Sequence, residues 1–349
     1  MTKRRGYMMK KYGILLIGYG YIGCEHLTDI YFRPEIEIIA VVDKSIERAE
    51  ITAKKFGAKS FGTDYRLYLD DARIEIVIVA TYPDTHFGIT KECVTHSKHV
   101  LCEKPITTNC EEGLEFCKLV RETPCKIQVA HILKHNKSYQ KIKELIDSKI
   151  IGDLRVIRTV QNQHAVNWER YQSLLKNCMP VVDCGVHYID IVRWFTGSEI
   201  VRVSGFAAKI DNDAPQSNYN VLNFETQSGC YGYYECGWSK SIGAENVKEF
   251  IGTKGRITLT LQSHRGDCLS DGDLICIYSN DSSEYRSVCY NSRYKDMYAQ
   301  IRSLIDSIEN DKPTVRSWQD VWKAQEIALS SQEAILTGKT IDLKIHSDF

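Results

Sequence analysis

A chain of 349 residues with 45 lysines and arginines against 45 aspartates and glutamates carries no formal net charge. That balance removes the electrostatic case for a nucleic-acid or membrane-surface partner, and no apolar run is long enough to span a bilayer. The length suffices for two domains with substantial cores. Thirteen cysteines are scattered without any C-x-x-C pair. Such thiols fit reduced, mostly buried side chains in a cytoplasm, and the ligand spacing of a metal site is missing, so none is expected. The basic residues Lys3, Arg4, Arg5, Lys10 and Lys11 read as a short frayed tail, because no signal-peptide core follows them. Two N-x-S matches, at Asn136 and Asn280, read as chance in that setting.

In chain order, the first informative stretch is Gly13-Ile14-Leu15-Leu16-Ile17-Gly18-Tyr19-Gly20-Tyr21-Ile22-Gly23. An apolar run suited to one buried parallel strand breaks into three glycines. Ile22, His26, Leu27, Ile30 and Tyr31 then follow near helical spacing. Strand, tight turn and helix give G-x-G-x-x-G its physical meaning. Gly18 permits the turn, Gly20 leaves room for a pyrophosphate, and Gly23 lets helix and strand pack closely. The helix N-terminus at Tyr21 and Ile22 offers N–H groups and a positive dipole end. A second apolar run, Ile36 to Val42, ends in Asp43, 20 residues beyond Gly23. A carboxylate there can accept hydrogen bonds from the adenosine ribose and would repel a 2′-phosphate, favouring NAD. Lys44 and Arg48 stand close enough to leave NADP open. A plain helix cap near Ser45 is the other reading of Asp43.

Strand and helix then alternate. A helix from Ile46 to Phe56 closes at Gly57, and a short strand lies near Lys59–Phe61. Asp64 caps a brief helix before the buried strand Glu75–Ala80. Thr81-Tyr82-Pro83 closes that strand, and Asp84 or Thr85 starts a helix carrying His86. The strand Lys98–Cys102 ends at Glu103-Lys104-Pro105. Asn109 caps a helix to Glu122, and Lys126–Ala130 is the last strand of this half. The alternation predicts a doubly wound parallel sheet, α/β in class, with ligand at the strand C-terminal ends. The expected division is a dinucleotide-binding domain over residues 1–130 and a substrate-binding and oligomerisation domain over 131–349.

The second half changes character. A helix over Tyr139–Asp147 leads to a strand at Leu154–Gln163, and a helix is expected over Asp183–Phe195. Strand-like runs follow at Val201–Ile210, Asn220–Thr226, Tyr231–Trp238, Val247–Gly252, Ile257–Leu261, Leu274–Tyr278 and Tyr285–Cys289. Two helices, Met297–Glu309 and Ser317–Leu336, precede a strand at Ile341–Ile345. The pattern predicts an α+β domain with a large, mostly antiparallel open sheet. Tyr231, Tyr233, Tyr234, Trp238 and Tyr285 fit either an ordinary core or a subunit interface on that sheet, and a homo-oligomer is the favoured reading.

Two constellations carry chemistry. Lys104 follows a strand at the sheet's C-terminal edge, where an ammonium could hold a substrate hydroxyl and stabilise a developing alkoxide. A surface salt bridge with Glu103 is the bland alternative. Asp183-Cys184-Gly185-Val186-His187 places a carboxylate and an imidazole four residues apart, on one face of a helix. Histidine titrates near neutrality and suits a base for hydroxyl oxidation, with the carboxylate orienting it. An N-cap and a satisfied core histidine explain the same residues equally well. His131, His164, Asn162 and Trp168 are further candidates for a sugar site, though a structural role is the favoured reading of each taken singly.

These motifs together resemble the glucose–fructose oxidoreductase / inositol dehydrogenase / MocA family over nearly the whole chain. The resemblance rests on Gly18–Gly23, on Ala80-Thr81-Tyr82-Pro83-Asp84-Thr85-His86, and on Val100-Leu101-Cys102-Glu103-Lys104-Pro105. It continues through Ile151-Gly152-Asp153-Leu154, Asp183-x-Gly185-x-His187-x-x-Asp190 and Gly252-Thr253-Lys254-Gly255. It implies a Rossmann domain followed by an open-sheet domain, and dimers or tetramers formed through that sheet. It also implies catalytic roles for Lys104 and His187 beside Asp183, with Thr81, Tyr82, His86 and Glu103 lining the cofactor. The chain departs from relatives at Cys178-Met179-Pro180 and Lys134-His135, both where substrate is expected, so the resemblance does not give the substrate. The expected function is NAD-dependent hydride transfer to or from a secondary alcohol of a sugar, sugar derivative or cyclitol. An NAD-using glycosidase or lyase with transient oxidation, and a non-catalytic NAD-binding regulator, are the alternatives.

Overall fold

The structure, a computed structural model of the chain, describes residues 10–261, 272–280, 285–290, 295–314 and 318–344. Most of the basic tail, Cys268, Ser317, Ile345 and the side chain of Tyr285 lie outside the described residues. The chain forms two compact units.

The first unit holds the strands β1 (Tyr12–Ile17), β2 (Ile36–Val42), β3 (Ser60–Gly62), β4 (Ile74–Val79), β5 (His99–Cys102) and β6 (Ile127–Val129). Between them run α1 (Tyr21–Ile30), α2 (Ile46–Phe56), α3 (Arg66–Leu69), α4 (Pro83–Thr95) and α5 (Cys110–Glu122). The sheet order is β3-β2-β1-β4-β5-β6 and every pairing is parallel. Every residue of β1 is buried, as its unbroken apolar run requires of a central strand covered on both faces. The winding reverses between β1 and β4, and the glycine turn lies at the C-terminal end of β1, where such sheets take their ligands. Helix α2 is closed as expected by Gly57, whose φ of +70° suits the left-handed position. Helix α4 begins one residue earlier than expected, because Pro83 takes its first turn, where a missing N–H costs nothing.

The packing differs from a contiguous division at residue 130 in two places. Residues 107–113 group with the second unit, and residues 297–314 with the first. The late helix Met297–Glu309 lays Ile301, Leu304 and Ile305 into the core formed by Ile14, Leu16, Leu27 and Ile30. Each such side chain contributes about 1.5–3 kcal/mol by burial. Met297 N donates to Asp29 Oδ2 (3.2 Å), and Gln128 Nε2 donates to Gln300 O (2.8 Å).

The second unit opens with a 3₁₀ turn at Ile132–His135 and α6 (Lys137–Asp147), capped by Asn136. Asn136 is 1% exposed and used by that cap, which leaves the sequon there without an accessible amide. Strand β7 (Leu154–His164) is followed by α7 (Trp168–Leu175), a helix the apolar pattern did not announce. The expected Asp183–Phe195 helix is two helices, α8 (Pro180–Asp183) and α9 (Gly185–Thr196). Then come β8 (Ile200–Ala208), β9 (Tyr219–Thr226), β10 (Tyr231–Ser239), β11 (Glu245–Gly252), β12 (Gly255–Thr260), β13 (Asp273–Ser279) and β14 (Tyr285–Tyr290). The helix Met297–Glu309 is α10, and α11 (Trp318–Thr337) and β15 (Ile341–Asp342) end the series.

The nine strands run β14-β13-β12-β11-β7-β10-β9-β8-β15, antiparallel except for the β7–β10 pair. Strand alternation splits the aromatic set that the sequence left open. Tyr234 and Trp238 point into the core at 1% exposure each, whereas Tyr231 is 54% exposed on the opposite face. The core reading therefore holds for Tyr234 and Trp238.

Candidate active site

The glycine turn shows three distinct demands. Gly18 has φ +91°, and a Cβ there would meet Ala80 O at 2.6 Å. A Cβ on Gly23 would lie 2.1 Å from Gly18 O, so only glycine lets α1 sit this close to the turn. Gly20 is the N-cap of α1, and a Cβ on it would find open space for 4 Å. The helix begins at Tyr21 and Ile22, whose position in the first turn leaves their N–H groups without intrahelical acceptors.

Asp43 closes β2, 8% exposed, and its carboxylate ties three segments together. Oδ2 accepts from Tyr19 N in the glycine turn (2.9 Å), and Oδ1 accepts from Ser45 N (3.0 Å). Arg48 Nε stands 3.1 Å from Oδ1. The cap of α2 is Ser45, whose hydroxyl accepts from Arg48 N, so Asp43 is more than a helix cap. Lys44 is exposed beside it.

Thr81, after β4, has its Oγ1 2.7 Å from Thr85 Oγ1, and Tyr82 is the 40% exposed N-cap of α4. His86 is buried with Nδ1 2.7 Å from Pro105 O and Nε2 3.1 Å from Thr81 O. Burial holds its imidazole below the ordinary value despite those two carbonyls. Its two ring nitrogens tie the segments after β4 and β5 to each other. Glu103, after β5, donates its N–H to Val79 O, while its carboxylate turns inward to His26 on α1 (Oε1 to Nε2, 2.8 Å). Glu103 thus points its carboxylate inward rather than lying at the surface. Glu103 is 8% exposed, and burial pushes its carboxyl up. The hydrogen bond from His26 and the charges of His26, Lys104 and His86 together outweigh that and hold it below its ordinary value. Lys104 N donates to Glu103 Oε2 at 3.3 Å, and the Lys104–Pro105 peptide is cis.

In the second unit, Asp183 ends α8 and His187 lies in the first turn of α9, with Cys184 at the junction. Asp183 is 9% exposed, and Cys184 Sγ lies 3.5 Å from its Oδ2. The His187 ring stands edge-on to His131, centroids 6.1 Å apart, and His131 Nδ1 is 3.9 Å from Asp190 Oδ2. The structure thus gathers Asp183, His187, His131 and Asp190 about one helical junction. His164 and Trp168 make other contacts. His164 Nδ1 is 3.1 Å from Ile242 O, and Trp168 Nε1 donates to Asp213 Oδ2 with Lys240 over its ring.

Beneath that junction the sheet is unusually polar. Tyr188 stacks on Tyr234 (4.6 Å), whose hydroxyl donates to Gln161 Oε1, and Asn220 Oδ1 accepts from Val181 N. Lys248 is 1% exposed, its Nζ donating to Val160 O (2.9 Å), Val247 O (3.2 Å) and Asn246 Oδ1, and lying 4.6 Å from the Tyr188 ring centre. Burial drives its ammonium far below the ordinary value. Sequence reasoning missed His26, Tyr234 and Lys248. His26 hid in an apolar helical stripe, and Lys248 in a strand alternation where a charged residue is taken to face water.

Two family models match the chain. "Oxidoreductase family, NAD-binding Rossmann fold" covers residues 12–131, and "GFO/IDH/MocA C-terminal domain" covers residues 139–258. Inositol 2-dehydrogenase 2 of Saccharopolyspora erythraea is 30% identical over 254 residues, 70% of this chain and 72% of that protein. The chain belongs to the GFO/IDH/MocA oxidoreductase family. Another member, scyllo-inositol 2-dehydrogenase (NAD(+)) of Bacillus subtilis, is 23% identical over 95% of this chain and 96% of its own length. The fold matches that of scyllo-inositol dehydrogenase from Lactobacillus casei with bound NAD(H) and scyllo-inositol. The TM-score is 0.77 at 20% identity, covering 95% of this chain and 99% of that one.

The family cofactor fits what the first unit offers. Open space before Gly20, the first turn of α1 and the inward-tied Asp43 form a cradle that a side chain at residue 20 would fill. NAD is thus the cofactor of this family member, and Asp43 is the feature that disfavours a 2′-phosphate.

Proposed function

We propose that the chain is a cyclitol dehydrogenase, oxidising one secondary hydroxyl of an inositol to the ketone. The observation that carries this is a charged strand end, Glu103-Lys104, in a unit with the NAD cradle, together with a helical junction presenting His187 beside Asp183. The names of the relatives support the choice of a cyclitol. When bound, NAD accepts the carbinol hydride. Lys104, carrying the charge ordinary for a lysine at neutral pH, holds the hydroxyl oxygen and stabilises it as it becomes an alkoxide. His187 takes the hydroxyl proton, and Asp183 favours its imidazolium form.

We further infer that the exposed face of the nine-stranded sheet, with Phe206 at 56% and Tyr231 at 54% exposure, is covered by a second copy. The twelve described cysteines are free thiols, which supports work in a reducing cytoplasm. No helix among the described residues is long and apolar enough to cross a membrane.

The test is NADH formation from NAD with myo-inositol, scyllo-inositol and a sugar panel. Lys104→Ala and His187→Ala should each lower kcat/KM by about 10²–10⁴-fold while NADH still binds. Turnover equal to wild type in both variants ends the assignment.

A further inference from the structure

We propose that His26 is a positioning residue for Lys104: buried on α1, it fixes the Glu103 carboxylate, whose other oxygen holds the Lys104 backbone. The proposal rests on the role given to Lys104 above. His26 is 0% exposed and Glu103 8%, so neither side chain reaches the substrate. The carboxylate divides its oxygens, Oε1 to His26 Nε2 at 2.8 Å and Oε2 to Lys104 N at 3.3 Å. It is therefore a rigid link from the helix that starts at the glycine turn to the residue after β5.

A structural role alone explains this pair poorly. Two apolar side chains would fill the same volume without the desolvation that a buried carboxylate carries. His26 Nδ1 adds to that cost, being buried with no hydrogen-bond partner among the described residues. The arrangement makes sense if a charged Glu103 is itself useful. The groups facing it are His26 from α1, His86 from α4, and Lys104 and the Cys102 thiol from its own segment. Burial alone would raise Glu103, and its partners reverse that. An ionised carboxylate in turn favours the cationic form of Lys104.

The consequence is a directional one. Without His26, the buried carboxyl takes up a proton at higher pH, and Lys104 loses both its anchor and its counter-charge. The acid limb of the kcat profile then moves to higher pH.

The experiment compares wild type with His26→Leu, His26→Gln, Glu103→Gln, the His26→Leu/Glu103→Gln double variant and Lys104→Ala. Each is assayed for kcat against pH with NAD and myo- or scyllo-inositol, and for NADH binding by fluorescence. His26→Leu and Glu103→Gln should each lower kcat by about 10- to 100-fold, the scale of a lost hydrogen bond to a charged group. His26→Leu should also show the shifted acid limb. His26→Gln, whose amide can donate in place of Nε2, should restore most of the rate. The double variant should lose no more than Glu103→Gln alone, because His26 acts through that carboxylate. Additive losses, or a folded His26→Leu with wild-type kcat and pH profile, overturn the proposal. If His26→Leu alone fails to fold, Glu103→Gln and the double variant still decide, since neither buries an unpaired charge. Unchanged turnover in Lys104→Ala overturns the reading beneath and takes this proposal with it. An inactive Lys104→Ala with additive losses removes His26 alone.

Discussion

The two units carry their chemistry in different parts of the chain. In the first, the candidate site is largely backbone: three glycines, the first turn of α1, and the ends of β2, β4 and β5. In the second it is largely side chains, with Asp183 and His187 on a broken helix above Tyr234, Gln161 and buried Lys248. A backbone site constrains which residue types can occupy a few positions, because a Cβ either fits or does not. A side-chain site constrains only what meets in space. That contrast explains why a motif exposes the one and conceals much of the other.

The sharpest way to break the contrast is to add one methyl group at two points of the same turn. Gly23→Ala brings a Cβ to 2.1 Å from a backbone oxygen that cannot move away cheaply. It should cost about 1–3 kcal/mol or more of stability and abolish NAD binding, read by thermal unfolding and NADH fluorescence. Gly20→Ala meets nothing within 4 Å and changes only a helix cap, so stability should fall by under about 1 kcal/mol. NAD affinity should nevertheless fall about tenfold, near 1.4 kcal/mol, because the methyl takes up the cradle. Equal stability losses in the two variants would mean that Gly20, like Gly23, serves packing.

How much of this was readable follows from the same physics. The strands of the first unit announce themselves because buried parallel strands are continuous apolar runs, as in Tyr12–Ile17 and the last four residues of β4, Ile76-Val77-Ile78-Val79. Gly57 and Pro83 mark helix ends by their own backbone limits. The return of α10 to the first core was not readable, since Ile301, Leu304 and Ile305 show that the helix has an apolar face but not which core it fills. In the candidate site, Lys104, Asp183 and His187 stood out by their motifs. The break at Cys184 did not, because a helical turn and a junction give the same four-residue spacing. The partners of His164 and Trp168, Ile242 and Asp213, lie too far along the chain for any local pattern to show.

Lys248 sharpens the contrast at the level of stability. Its folded-state value lies well below the ordinary 10.5 through burial, so over the interval between the two the unfolded chain binds a proton that the native one does not. Stability contributed by this group is therefore lost as pH falls below 10.5 and recovered as pH rises. The slope is at most about 1.4 kcal/mol per pH unit. Lys248→Met should flatten the rise of Tm between neutral and alkaline pH. An unchanged slope would mean that Lys248 stays charged in the native core, held by its three acceptors.

Two helix caps, one in each unit, test whether burial or motif sets the cost, and the second carries the smallest expected effect. Asn136 accepts from Ser138 N (2.9 Å) and Tyr139 N (3.1 Å) in a buried setting. Asn136→Ala strands both donors away from water, and should cost about 2 kcal/mol or more. Ser45 caps α2 through a single 3.2 Å bond from Arg48 N on an exposed turn. There the freed N–H finds water, and Ser45 N remains held by Asp43 Oδ1 at 3.0 Å. Ser45→Ala should therefore cost about 0.5–1 kcal/mol. It should also leave NADH affinity intact, because the contact that matters to the glycine turn runs from Tyr19 N to Asp43, not through the serine hydroxyl. A larger loss of affinity than of stability in Ser45→Ala would show that the cap, rather than Asp43 itself, holds the ribose end of the cradle in place.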